Sequence, residues 1–541
     1  MQIVIPMSGT GNRFLQAGYK APKPLIEADG RPLIEHVVGM YPGEKDIIFI
    51  CSKDHLRETP LEGVLRRIAP GARIVPVDPH KKGPVFAVSQ AAELIKDDEE
   101  VIVSYCDFSR HCDYAAFLSS ARGQGADGAV TAYRGFHPHM LYPTNYAFIR
   151  EEGGLLREIR EKQPFTADRM AEFASDGSYY FRKGAYVKKY FAELMALDLN
   201  LNGEYYVSLV YNLLVRDGLK VSVHEIEHML QWGAPRDLEE YQKWSDYFRA
   251  AVLPQPNIAA APGSINLMPL AGRGARFASE GWAAPKPLAE VSGRPMAVQA
   301  ASCLPRAEKN IFVCLNEHLE KYPLRDALRA AVPGAKIVAL DGVTGGQACT
   351  CELGLRGEDP EAPLLIAPSD WGFRWDAAAY AALAGDPGVD AVLWSFTRHR
   401  MAEAKPEMFG WIEAGPDGAV RRVSVKAPVS ADPYNDHGIL AVFFFRKARF
   451  FLEGLRDIYA RGLRVNGEFY ADSVAQALVE SGRRVKVFPV DHYASWGTPD
   501  ELRTFEYWQS YFHKAPAHPY RLEKDISMAP GAARRGEKAA P

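Results

Sequence analysis

After Gln2 the chain runs into an unbroken apolar stretch, Ile3-Val4-Ile5-Pro6-Met7, and comparable largely apolar runs follow at 46–51 and 101–105. Short runs of this kind, rich in β-branched residues, predict strands buried on both faces. Between them apolar positions recur at helical spacing over 32–40 and 85–95, which predicts helices. Strand alternating with helix predicts a parallel, doubly wound sheet. From Gly128 onward, and again from Asp390, strands outnumber helices, so a mixed sheet is expected there.

The pattern occurs twice. Ser8-Gly9-Thr10-Gly11-Asn12-Arg13-Phe14 returns as Ala271-Gly272-Arg273-Gly274-Ala275-Arg276-Phe277. At the same interval Pro22-Lys23-Pro24-Leu25 returns as Pro285-Lys286-Pro287-Leu288, and Asp107 as Asp370. The register then slips by one residue: Asn202-Gly203-Glu204-Tyr205-Tyr206 becomes Asn466-Gly467-Glu468-Phe469-Tyr470, and Trp232-Gly233 becomes Trp496-Gly497. A repeat of this length is a duplicated domain and not a solenoid unit. The expected division is a first domain at 1–250, a Pro/Ala-rich linker at 251–263, a second domain at 264–513 and a disordered tail at 514–541.

Composition narrows the partners. The 541 residues carry 64 basic and 67 acidic side chains, a net charge of −3, which gives no electrostatic reason to expect nucleic acid. No apolar run approaches the ~20 residues that span a bilayer, and residues 1–6 read as a strand and not as a signal peptide, so a cytoplasmic protein is expected. The seven cysteines show no metal-type spacing and read as reduced, buried small hydrophobes.

The glycines Gly9 and Gly11, and Gly272 and Gly274, follow the first strand of each copy and let backbone N–H groups approach a phosphate. Neither a dinucleotide fingerprint nor a G-K-[ST] loop is present. Arg13 and Arg276 offer a fixed fork of donors suited to phosphate oxygens. Lys23 and Lys286, each between two prolines, sit on stiffened backbone that holds a cation in place. Asp107 and Asp370 follow apolar strands, at carboxyl ends facing the same crevice as the glycine turn. Asp113 and Asp376 precede alanine-rich starts and suit helix capping.

Gly-x-Gly-x-Arg-Phe followed by Pro-Lys-Pro-Leu resembles the signature of the nucleotidyltransferases that make nucleoside diphosphate sugars, in the version common among capsular polysaccharide biosynthesis proteins. The resemblance spans essentially each copy. It implies two tandem Rossmann-like, glycosyltransferase A-like domains of α/β class, each with a mixed, mostly parallel sheet. It also implies attack by a phosphate monoester, usually a sugar 1-phosphate, on the α-phosphorus of a nucleoside triphosphate, with Mg²⁺ and release of pyrophosphate.

On this resemblance Arg13, Lys23, Arg276 and Lys286 are catalytic, and Asp107 and Asp370 bind Mg²⁺. Nucleotide contacts fall to Gly9, Gly11 and Gly83, and to Gly272, Gly274, Gly346 and Gln347. Acceptor contacts fall to Glu161, Lys162 and Glu204, and to Lys426 and Glu468. Two departures stand out. Val425 occupies the place of Glu161, which puts acceptor recognition by the second copy in question. Gln231 and Ser495 occupy the place of a second metal-binding aspartate, with Glu227 and Asp491 as substitutes. Two copies in one chain can form a pseudo-dimer. The competing readings are a glycosyltransferase, which ordinarily wants a D-x-D pair where this chain has Asp107-Phe108-Ser109 and Asp370-Trp371-Gly372, and a non-catalytic nucleotide-binding role for one copy.

Overall fold

The structure, a computed structural model, describes residues 1–143 and 145–528. It divides into two units, Met1–Ser245 and Asp246–Pro541. Helix Pro235–Ala251 runs across the division, and 254–261 carry no helix or strand.

The first unit is built on a nine-stranded mixed sheet in the order Arg73–Val77, Asp46–Ser52, Gln2–Met7, Val101–Ser104, Phe173–Phe181, Gly128–Tyr133, Val221–Glu225, Leu155–Glu161, Ala147–Glu152. The first four strands are parallel; Phe173–Phe181 then runs antiparallel to both its neighbours. Along one strand the side chains divide between two cores. Val4 packs with Ile48, Val103 and Val130, while Ile3 and Ile5 pack with Phe49, Ile102 and Phe117. Helices therefore cover both faces, which is why these strands read as continuous apolar runs.

The second unit carries the corresponding order: Lys336–Leu340, Lys309–Leu315, Ile265–Leu270, Leu364–Ile366, His437–Phe445, Ala391–Phe396, Val485–Pro489. Gly410–Ala414 and Val420–Val425 pair beside its antiparallel strand. Each unit also has a two-stranded ribbon, Phe108–His111 with His228–Gln231, and Trp371–Arg374 with His492–Ser495.

Three expectations change. The helix expected at 85–95 is shorter, Gly83–Ser89, and gives way to a 3₁₀ turn at Ala92–Leu94. The expected disordered tail is packed as far as Met528: Tyr520 is fully buried, accepts from Gln509 Nε2 at 2.9 Å and donates to Asp525 at 2.7 Å. Residues 529–541 lie outside the described residues. Of the seven cysteines, all free, Cys106, Cys112 and Cys349 are only partly buried.

Candidate functional site

The strand Gln2–Met7 runs into a turn in which Gly11 adopts φ +65° and opens helix Asn12–Gln16. Gly274 repeats this at φ +63° ahead of Ala275–Ser279. That backbone is costly for any residue with a Cβ. Gly9 and Gly272, by contrast, face open space. Phe14 and Phe277 are buried beneath the turns, against Tyr19 and Trp282, and leave Arg13 and Arg276 exposed.

The proline-flanked lysines behave as their backbone predicts. Pro22 holds an extended conformation, and Lys23 opens a 3₁₀ turn closed by Leu25 N–H donating to Pro22 O at 2.8 Å. This aims Lys23 Nζ across the crevice to donate to Asp107 Oδ2. Lys286 Nζ donates to Asp370 Oδ2 at 2.5 Å in the same way. Both pairs are about four-fifths buried at the lysine. The aspartates are fixed from the ribbon side, where Trp232 N–H donates to Asp107 O at 2.9 Å and Trp496 N–H to Asp370 O at 2.8 Å.

A cavity of about 440 Å³ in the first unit collects Gly11, Arg13, Lys23, Asp107, Glu161, Lys162 and Glu204 among its lining residues. Gly9 and Gly83 are not part of that lining. Gly83 has a structural reason for being glycine: a Cβ there would lie 2.7 Å from the Tyr205 backbone, to which this loop is hydrogen-bonded through Tyr205 N–H to Lys82 O and Val85 N–H to Tyr205 O. Gly346 approaches the Phe469 backbone equally closely, a Cβ lying 2.5 Å from it. Both glycines thus join the expected nucleotide loop to the Asn-Gly-Glu segment. Gln347 is half-buried at the start of helix Gln347–Gly354.

Lys162, also on the cavity wall, has φ +58° and donates through Nζ to Tyr206 Oη at 2.7 Å; that hydroxyl in turn donates to Glu204. Glu161 accepts from Ser208 Oγ at 2.6 Å, and burial of its carboxyl pushes its pKa up to about 7. In the second unit Lys426 has φ +63° and donates to Met408 O at 2.6 Å. Burial lowers its pKa, against the nearby Asp472 carboxylate. Burial likewise pushes Asp472 up to about 6. Sequence reasoning missed Tyr206, Ser208 and Asp472. The repeated second tyrosine of Asn-Gly-Glu-Tyr-Tyr was the available signal for the first.

Glu227 and Asp491 do not serve as second carboxylates beside Asp107 and Asp370. Ribbon register pairs His228 with His111 and His492 with Arg374, which puts each acid at the far end of its ribbon, several residues of ~3.3 Å rise away. A different acid approaches. Gly497 lies between Asp370 and Glu501, a Cβ there meeting Asp370 Oδ2 at 3.1 Å and Glu501 Oε2 at 3.2 Å. Burial raises the Glu501 pKa despite hydrogen bonds from Ser495 and Thr498, and Asp370 adds to the rise. In the first unit Gln231 Nε2 donates to Asp237 Oδ2 at 2.7 Å. Among the described residues no three His, Cys, Asp or Glu side chains group as a self-sufficient metal cage. Asp107, on the wall of the first unit's cavity, and its counterpart Asp370 are hard carboxylates that fit Mg²⁺, which takes one or two carboxylates and completes its shell with substrate phosphates and water. Asp113 and Asp376 cap their helices, accepting from Ala116 N–H at 2.9 Å and Ala378 N–H at 2.8 Å. Among the described residues no helix is long and apolar enough to cross a membrane.

Residues 3–167 match the family model of the MobA-like NTP transferase domain. The chain is 25% identical over 234 residues to the bifunctional protein GlmU of Thiobacillus denitrificans, covering 42% of this chain and 47% of that protein. It is 24% identical over 185 residues to the glucose-1-phosphate cytidylyltransferase of Salmonella typhi, covering 30% of this chain and 69% of that protein. It therefore spans about half the length of the first of these relatives. Among solved structures, a nucleoside-diphosphate-sugar pyrophosphorylase from Vibrio cholerae aligns at 23% identity and a TM-score of 0.37, over 44% of this chain and 99% of that one.

Proposed function

We propose that the chain is a tandem pair of nucleotidyltransferase domains. Each transfers a nucleoside monophosphate from a nucleoside triphosphate to a phosphate monoester, a sugar phosphate in the simplest case, and releases pyrophosphate. The product would be an activated precursor for surface polysaccharide, made in the cytoplasm. The observation that carries this reading is the lysine–aspartate pair of each unit. In the first unit it is set in one cavity between an arginine-bearing glycine turn and a second lysine, Lys162.

The chemistry asks little of the protein beyond position and charge. An acceptor phosphate is already an oxyanion at neutral pH, so no side chain need remove a proton from it. Backbone N–H groups of the glycine turn and the guanidinium of Arg13 or Arg276 receive the triphosphate. Lys23 or Lys286, held by its flanking prolines, neutralises charge that builds on the α-phosphate and the leaving pyrophosphate. To do so it exchanges its aspartate for a phosphate oxygen, which frees Asp107 or Asp370 to hold Mg²⁺. When bound, that ion supplies Lewis-acid polarisation of the phosphate oxygens. Lys162 and Lys426 receive the acceptor phosphate, with Glu161, Glu204 and Glu468 beside its hydroxyl groups.

The test is the full chain carrying Lys23→Ala and Lys286→Ala. Its melting should match the wild type while magnesium-dependent pyrophosphate release disappears, and retained release would contradict the proposal. If a nucleoside diphosphate sugar is consumed in place of a triphosphate, the glycosyltransferase reading takes over.

A further inference from the structure

Two facing positions at the acceptor end exchange their chemistry between the units. In the first, Glu161 on strand Leu155–Glu161 accepts from Ser208 in the first turn of helix Val207–Arg216. In the second, Val425 ends the strand Val420–Val425, and Asp472 stands in the first turn of helix Ala471–Glu480. Strand register fixes the match: Glu161 pairs with Ala147, and Val425 with Gly410. Ser208 and Asp472 stand equally far beyond Glu204 and Glu468.

The surroundings have changed to suit. A Cβ at Gly410 would lie 2.6 Å from Asp472 Oδ1, so the glycine makes room for a carboxylate where the first unit has Ala147. In the first unit the charges acting on Tyr206 are Glu204, Glu161 and Arg13; in the second those acting on Tyr470 are Glu468, Asp472 and Arg276. The same triad of acid, acid and arginine is thus rebuilt with the buried acid delivered from the helix. Asp472 is only 8% exposed. Its carboxylate accepts no hydrogen bond from another described residue, and the nearby Lys426 donates to Met408 O. The backbone N–H of Asp472 itself donates to it, and a buried carboxylate whose other acceptor sites stay open is costly unless something fills them.

We infer that Asp472 is the acceptor-reading carboxylate of the second unit, accepting hydrogen bonds from the hydroxyl groups of a polyol or sugar phosphate whose phosphate meets Lys426. This rests on the reading of Lys426 as an acceptor-phosphate ligand. The second copy therefore keeps a complete acceptor site, and because its acid comes from a helix where the first unit uses a strand, the two sites read different hydroxyl patterns.

The test uses the full chain in a Glu161→Val background, so that acceptor binding reports the second unit. Calorimetric titrations follow a panel of hexose 1-phosphates, inorganic phosphate as the probe without hydroxyls, and magnesium UTP and CTP. Asp472→Ser should weaken the hexose 1-phosphate that binds best by about tenfold or more, the scale of a hydrogen bond to a charged group. Inorganic phosphate should be unaffected, and adding Val425→Glu to Asp472→Ser should restore the affinity. Equal loss of both probes, no loss of either, or nucleotide binding with no hexose 1-phosphate bound would overturn the inference alone. A chain that binds neither nucleotide nor sugar phosphate would overturn the functional reading with it.

Discussion

In the wall of the first unit's cavity, which Asp176 helps to line, lies a buried ion pair. Arg110 Nη1 donates to Asp176 Oδ2 at 2.6 Å and to Thr131 Oγ1 at 2.7 Å, with both charged side chains almost fully enclosed. Strand register places Phe373, Leu440 and Trp394 at the same three positions of the second unit, where Phe373 and Trp394 meet edge to face at 5.3 Å. One scaffold is thus filled once by charge and once by rings. Through that change of filling, the glycine turn, the proline-flanked lysine and its aspartate keep the same geometry. Between the two units the packing differs while the lysine–aspartate geometry is the same, which is the contrast expected if that geometry serves the proposed chemistry.

The largest effect should come from breaking the first unit's pair. Asp176→Ala leaves Arg110 buried without its counter-charge, with only Thr131 Oγ1 still accepting from it, and should cost about 3–5 kcal/mol of unfolding free energy. Arg110→Phe with Asp176→Leu, the second unit's own solution, should cost less than that single change when measured by denaturant titration. A double variant at least as unstable as Asp176→Ala would show that the two fillings are not interchangeable.

Next in size is the lysine. With the second unit silenced by Asp370→Ala, Lys23→Ala should lower pyrophosphate release roughly 10²–10³-fold, the scale of one preorganised donor to a charged transition state. A change confined to KM would assign Lys23 to ground-state binding.

The two buried acids then predict opposite ends of one pH comparison. Glu161 titrates near 7 in the folded chain, above its ordinary value, so the folded state holds a proton that the unfolded state has released. Stability should fall as pH rises from the ordinary glutamate range to about 7, by about 3 kcal/mol at most. Glu161→Gln should flatten melting curves across that window. Asp472→Asn should flatten the more acidic window that ends near 6. Unchanged profiles in both variants would contradict the burial of these carboxyls.

The smallest effect concerns the turn. Gly11→Ala forces a Cβ onto left-handed backbone at a cost of about 1–2 kcal/mol. Gly274→Ala should cost more, because its Cβ would lie 2.8 Å from Lys286 Cβ against 3.7 Å from Lys23 Cβ for Gly11.

The apolar runs and their helical spacers were sufficient to read the sheet, because strands covered on both faces leave an unmistakable pattern. The glycine turn, Lys23 and Asp107 were also legible as separate motifs, and the fold brings them into one crevice. The exchange between Val425 and Asp472 was not, since it joins a strand to a helix far along the chain and only register and packing reveal it. Glu227 and Asp491 looked suitable because each precedes a histidine, but ribbon register carries them away from the aspartates. The segment after Lys514 looked disordered because its proline, alanine and charge obscure two anchors, Tyr520 and Leu522, that bury themselves all the same.

The central claim, that both units are working nucleotidyltransferase sites, is tested most directly by a pyrophosphate-release screen. It crosses the common nucleoside triphosphates with a panel of phosphate monoesters, using the wild-type chain, Asp107→Ala and Asp370→Ala. The account predicts magnesium-dependent release that each single variant lowers for a different acceptor and that the double variant abolishes. Release that survives Asp107→Ala and Asp370→Ala together, or no release with any pair, would contradict it.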